Sequence, residues 1–115
     1  MGGFGGVLMG EITINIAKDF SRTPGGRFYT DGPYSGEAFR ETILKPAFDE
    51  ALQSNSKLKI VFDGSYGYAP SFLEEAFGGL ARLLGADEVL STLVMVSEEE
   101  PGMYERIKKI VQEGC

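Results

Sequence analysis

The sequence predicts an α/β domain: a small mixed four-stranded sheet with helices packed over it, in the order β-β-α-β-α-β-α. Three observations carry this. Short stretches with strand periodicity, among them "EITINIA" and "LKIVFD", alternate along the chain with longer stretches whose apolar residues recur at helical spacing. The connections are short, and strand–helix–strand units with short loops favour parallel pairing through right-handed crossovers. Neither internal repeats nor an interdomain linker interrupts the pattern, so residues 11–115 read as one domain behind a flexible glycine-rich arm at 1–10.

"EITINIA" sets Ile12, Ile14 and Ile16 against Thr13, Asn15 and Ala17, the period of a half-buried strand. Pro24, Gly25 and Gly26 then supply fixed and positive φ values for a tight turn, which makes residues 27–30 a second strand, antiparallel to the first. Ser35 caps a helix over residues 36–53, with Phe39, Ile43, Ala47 and Ala51 on one stripe. Pro46 removes one of its backbone donors and is expected to kink it.

"LKIVFD" is the third strand, with Leu58, Ile60 and Phe62 on one face and Val61 on the other. "APSFLEEAFGGLARLLG" gives the second long helix. Ser71, followed three residues later by Glu74, has the spacing of a capping box, a pattern that by itself explains a serine here. Phe72, Leu73, Ala76, Phe77, Leu80, Ala81 and Leu84 form its apolar face, and Glu75, Gly78, Gly79 and Arg82 fall on the other side. "VLSTLVMV" is a nearly unbroken apolar run, as expected of a fourth strand covered on both faces. "MYERIKKIVQEG" places Tyr104, Ile107, Ile110 and Val111 on the stripe of a last helix, preceded by Glu98, Glu99 and Glu100 where negative charge suits the helix dipole.

Composition narrows the function. A net charge of −6 argues against general affinity for nucleic acid or an anionic membrane. With no histidine, His-assisted nucleophiles and His-ligated zinc are excluded, and the one cysteine, Cys115, is terminal. No P-loop or dinucleotide fingerprint occurs, so neither an enzyme nor a cofactor is expected. "MGGFGGVLMG" lacks a basic n-region and carries Gly6 where a myristoylation site needs Ser or Thr, and "QEGC" is not a prenylation box. These features imply a soluble cytoplasmic protein.

If the last three strands run parallel, the loops "YTDGPYSG", "DGSYGYAPS" and "SEEEPG" converge on one sheet edge, together with the helix beginnings at Ser35, Ser71 and Ser97. Binding residues are therefore expected among Asp31, Ser35, Asp63, Ser65 and Tyr66, joined by Glu75, Gly78, Gly79 and Arg82 on the adjoining helix. Each glycine inside a helix costs about 1 kcal/mol relative to alanine, so this pair implies close approach of another backbone, whether a partner's or the chain's own. Lys18, Arg22 and Arg27 form a basic patch around the "TPGG" turn, expected at the opposite edge. Asp31 and Asp63 each end an expected strand. Asp-Gly is first of all turn chemistry, and neither a metal site nor a phospho-aspartate role is expected.

A strand ending in Asp63, a loop containing Ser65 and a serine opening an amphipathic helix resemble the STAS domain of anti-sigma-factor antagonists. More closely, "KDFSRTPGGRFYTDGPYSGEAFRETILKPAF" and "FDGSYGYAPSFLEEAFGGL" resemble a bacterial and archaeal STAS-like family of unknown function, over about residues 11–96. The resemblance implies a regulatory, partner-switching domain for a histidine-kinase-like ATPase, with Ser71 the phosphoacceptor candidate. The antagonists carry Asp-Ser-Ser-Gly at this helix start; here the chain reads Ala69-Pro70-Ser71-Phe72, and a one-residue shift brings Ser71 onto the phosphoserine. The alternative from another class is a small-ligand or nucleotide-binding module that uses the N–H groups of the same edge.

Overall fold

The structure, a computed structural model, describes residues 11–114. The expected arm at 1–10 lies outside the described residues, as does Cys115. Strand β1 (Glu11–Asn15) runs into a single helical turn, α1 (Ile16–Asp19), and a long loop containing a 3-10 turn (Tyr29–Asp31). Helix α2 follows over 36–53, then β2 (Lys57–Val61), helix α3 over 70–84, helix α4 (Ala86–Thr92), β3 (Leu93–Val96) and α5 (Met103–Glu113).

Among the described residues the sheet has three strands in the order β1-β2-β3, all parallel, with Ile14 level with Ile60 and Ile60 level with Met95. The expected mixed, four-stranded sheet is corrected. Residues 27–30 do not pair as a strand, because their backbone groups are satisfied elsewhere. The N–H groups of Arg27 and Phe28 donate to the Asp31 carboxylate, that of Tyr29 to Glu37, and the Arg27 carbonyl accepts from Glu37 N–H at the start of α2. A segment that has spent its donors locally has none for a ladder.

The "VLSTLVMV" run is also divided. Val89 and Thr92 are buried in α4, and only the last four residues extend as β3. Helices cover one face of the sheet. Ile14, Leu58, Ile60 and Leu93 join a single core with the helical Phe39, Phe48, Phe72, Phe77 and Leu80, whereas Lys59, Val61, Val94 and Val96 on the other face stay part-exposed. Two right-handed crossovers taken in the same direction place both crossover helices on one side, so coverage of both faces is not what this strand order produces.

Helix α2 has the boundaries read from the sequence, and Ser35 Oγ accepts from Ala38 N–H at 3.1 Å. It widens into a π-type turn at Arg40–Leu44, just ahead of Pro46, whose missing N–H and bulky ring disturb the preceding carbonyls. Helix α3 widens likewise at Glu74–Gly78. The two helices touch where α2 begins: a Cβ on Gly36 would lie 2.5 Å from the Phe72 carbonyl oxygen and 2.9 Å from Glu75 Cβ, so only glycine allows this crossing. In α5 Ile107, Ile110 and Val111 pack on the core as expected, while Tyr104 turns outward and Met103 is buried in its place. Among the described residues no helix is long and apolar enough to cross a membrane.

Candidate functional site

Parallel pairing brings Asn15, Val61 and Val96, the strand ends, to one edge of the sheet. Three loops meet there. Asp63, just past β2, accepts from the N–H groups of Glu98 and Glu99 (3.1 and 2.8 Å), and Glu99 in return accepts from Gly64 N–H at 3.0 Å. From the other side the Arg22 carbonyl accepts from Tyr66 N–H at 2.9 Å and from Ser65 Oγ at 3.1 Å. The basic loop therefore belongs to this edge and not to the opposite one. The chain leaves a parallel β1 at the same end as β2, so whatever follows β1 must start here.

Aromatic rings fill the space beneath. Phe20 contacts Tyr34 edge-on (5.6 Å between centroids) and packs against Phe39 and Phe72, while Tyr68 bridges Phe62 and Phe72. The Tyr68 hydroxyl donates to the Phe62 carbonyl at 2.8 Å. Burial, reinforced by Asp63, Glu99 and Glu100 and opposed by Ser65, pushes its phenol up to about 12. At the flank the Tyr29 hydroxyl donates to Glu41, and this bond raises its pKa.

Ser35 and Ser71 open neighbouring helices at the same pole, as the contact of Gly36 with Phe72 requires. Their side chains differ. Ser35 is fully buried as a helix cap. Ser71 does not cap α3: the N-cap is Ala69, Pro70 occupies the first helical position, and Ser71 follows inside the first turn. Proline at N1 is the sequence signal that separates the two readings. Glu74 closes no capping box; it pairs with Arg27 at 2.7 Å. Among the described residues the Ser71 hydroxyl, which is half-buried, has no hydrogen-bond partner. Ser65 is tied to Arg22 and Gly67, and Ser97 donates to the Glu100 carbonyl while α5 starts later, with Gly102 as its N-cap.

The expectation that Glu75, Gly78 and Gly79 face outward is corrected: all three are buried. Glu75 lies 2.7 Å from Arg40, with Arg27 and Arg82 each at 3.8 Å. A Cβ on Gly79 would run into the Arg40 guanidinium, and at Gly114 a Cβ would lie 2.8 Å from Gly78 Cα. The close approach implied by the glycines is internal, made by α2 and by the end of α5. Arg82 stays half-exposed beside a cleft of about 240 Å³ shared with Arg27, Glu74 and Glu113. A smaller cleft of about 150 Å³ lies between Tyr66, Tyr68, Ser97 and Glu99.

Asp31 ends no strand. Its carboxylate holds the turn at Arg27 and Phe28, and it is not brought together with Asp63. Among the described residues no group of three or more His, Cys, Asp or Glu is placed to hold a metal. The sequence reading named Tyr66 but missed the other exposed rings beside it. Phe28, Tyr29 and Tyr34 are nearly half-exposed and Tyr66 is 83% exposed, all on the two loops that follow β1 and β2. Phe28 and Tyr29, in the segment read as a strand, and Tyr34, in a segment read as a loop, were the available signal.

The family model for a STAS-like domain of unknown function (DUF4325) matches residues 35–103, from the cap of α2 to the first residue of α5. The chain belongs to this family. The matched span holds both crossover helices, β2, β3 and Ser71. STAS-like domains are generally non-catalytic. Comparison with curated proteins and with solved structures gives no match.

Proposed function

We propose that this STAS-like domain is a non-enzymatic regulatory module that docks on a partner protein through the edge where the three loops meet. The observation that carries the reading is the exposure of Tyr34 and Tyr66, with Phe28 and Tyr29 on the flank, beside clefts of only about 150 and 240 Å³. Exposed tyrosines held on a fixed backbone favour protein contacts, whereas small-molecule sites usually need 300–1,000 Å³. The family resemblance suggests a histidine-kinase-like ATPase as the partner and Ser71 as the switch. Ser71 suits that role because its hydroxyl is not engaged, unlike those of Ser35, Ser65 and Ser97. The acids after it, Glu74 and Glu75, are paired with Arg27 and Arg40, which reduces their repulsion of a phosphate.

The test is a pull-down against the ATPase encoded beside this chain, with and without nucleotide, followed by phosphopeptide mass spectrometry. Capture of the wild type, loss of capture with Ser71→Glu and a phosphate on Ser71 are the expected results. Failure of any such ATPase to bind, together with a thermal shift of the isolated domain by a nucleotide, would replace this reading with ligand binding.

A further inference from the structure

Among the described residues, two cations with no ion pair, Lys18 and Arg22, stand on the docking edge of this acidic protein. Arg27, Arg40, Lys45, Lys59, Arg82 and Arg106 are each ion-paired. With 17 acidic residues against 11 basic ones, partners are plentiful. Lys18 and Arg22 are exposed and, among the described residues, neither side chain reaches a carboxylate. Their backbone is nevertheless fixed. Lys18 N–H donates to Asn15 Oδ1, Asn15 N–H donates to Asp19, and the Arg22 carbonyl receives Ser65 and Tyr66. The same short segment holds Phe20, against which Tyr34 stands edge-on. Lys18, Arg22, Tyr34 and Tyr66 thus belong to one patch on a rigid main chain.

We infer that this patch receives an acidic segment of the partner protein, with carboxylates opposite Lys18 and Arg22 and apolar groups against Tyr34 and Tyr66. The inference rests on the docking reading above and adds the chemistry of the contact. Tyrosine and arginine are the side chains that most often dominate protein interfaces, and an ordered main chain lowers the entropy lost on binding. Nucleic acid fits less well: two cations neutralise two phosphates, while a net charge of −6 repels a polyanion over a longer range. Asp63 and Glu99, held by backbone N–H groups, bring negative charge to the same edge, so the acidic segment takes its attraction from Lys18 and Arg22 alone.

The test is an NMR titration of the ¹⁵N-labelled chain with three probes: a dodecapeptide alternating glutamate and leucine, its lysine–leucine counterpart, and a twelve-nucleotide oligouridine. The acidic peptide is expected to shift the amides of Lys18, Arg22, Tyr34 and Tyr66, and to bind at least tenfold more weakly to Lys18→Glu/Arg22→Glu. The milder Lys18→Ala/Arg22→Ala guards against a folding defect. Raised salt should weaken the complex. Shifts centred on Lys108 and Lys109 instead, indifference to the double substitution, or tighter binding of oligouridine would overturn the inference. An ATPase that binds the wild type and the charge-reversed chain equally well would overturn it while leaving the docking reading intact. Peptide binding at the patch without any ATPase binding would do the reverse.

Discussion

The Arg40 guanidinium lies 2.7 Å from the Glu75 carboxylate inside the domain, and the bare backbone of Gly79 leaves it the room to do so. Arg40 Nη1 also donates to the Glu75 carbonyl at 2.6 Å, so one side chain ties α2 to the widened turn of α3. Gly78 and Gly79, adjacent in sequence, serve different neighbours, and this gives them opposite mutational signs.

In an open helix a Gly→Ala change gains about 1 kcal/mol. At Gly79 the added Cβ pushes the end of the Arg40 side chain aside and weakens its charged hydrogen bonds to Glu75, which keeps Arg27 and Arg82 at 3.8 Å, a loss of about 1.5–3 kcal/mol. Set against the helix gain, Gly79→Ala is therefore expected to destabilise by about 0.5–2 kcal/mol. At Gly78 the nearest atom to a new Cβ is Ile110 Cγ2 at 3.5 Å, ordinary contact, so Gly78→Ala should be neutral or gain up to about 1 kcal/mol. Urea unfolding of the two variants checks this; equal losses would mean that the glycines do not divide their work this way.

The two serines at helix beginnings separate in the same manner. Ser35→Ala removes a fully buried cap and should cost about 1–2 kcal/mol. Ser71→Ala removes a hydroxyl that caps nothing, and its effect should stay within about 0.5 kcal/mol. Thermal unfolding measured side by side decides it. A loss at Ser71 as large as that at Ser35 would restore the capping role read from the sequence.

Tyr68 makes stability sensitive to alkali. Its phenol titrates at about 12 when folded and near the ordinary value of about 10 when unfolded. The unfolded chain then gives up its proton first as pH rises. The contribution of the neutral phenol is complete below about pH 10 and is lost as pH climbs toward about 12. Tyr68→Phe forfeits the hydrogen bond to Phe62, about 1 kcal/mol, but should show a flatter decline across that window. Denaturant midpoints from pH 9 to 12 for both proteins measure the difference, and parallel curves would contradict it.

Much of this architecture was legible in residue order. The stripe through Phe39, Ile43 and Ala47 with Ser35 before it defined α2 to its ends, and the alternation of Leu58, Ile60 and Phe62 defined the core face of β2. The gathering of the three loops followed from parallel pairing alone. The failures share one cause. The strand expected at 27–30, the long strand through "VLSTLVMV" and the open face of α3 each depended on what stood opposite. Asp31 and Glu37 take the donors of 27–30, α4 claims Val89, and Arg40 and α5 cover Gly79 and Gly78.

Local order by itself determined that α2, α3 and α5 are helical, that β1 and β2 are extended, and which apolar residues of β1, β2, α2 and α3 enter the core, because period and caps are properties of one element. Tertiary structure alone decided where Arg22 meets Tyr66 and how α3 comes to be buried on nearly every side. A neighbour's backbone groups, charges and bulk set the second face of an element, and the periodicity of that element carries no record of them.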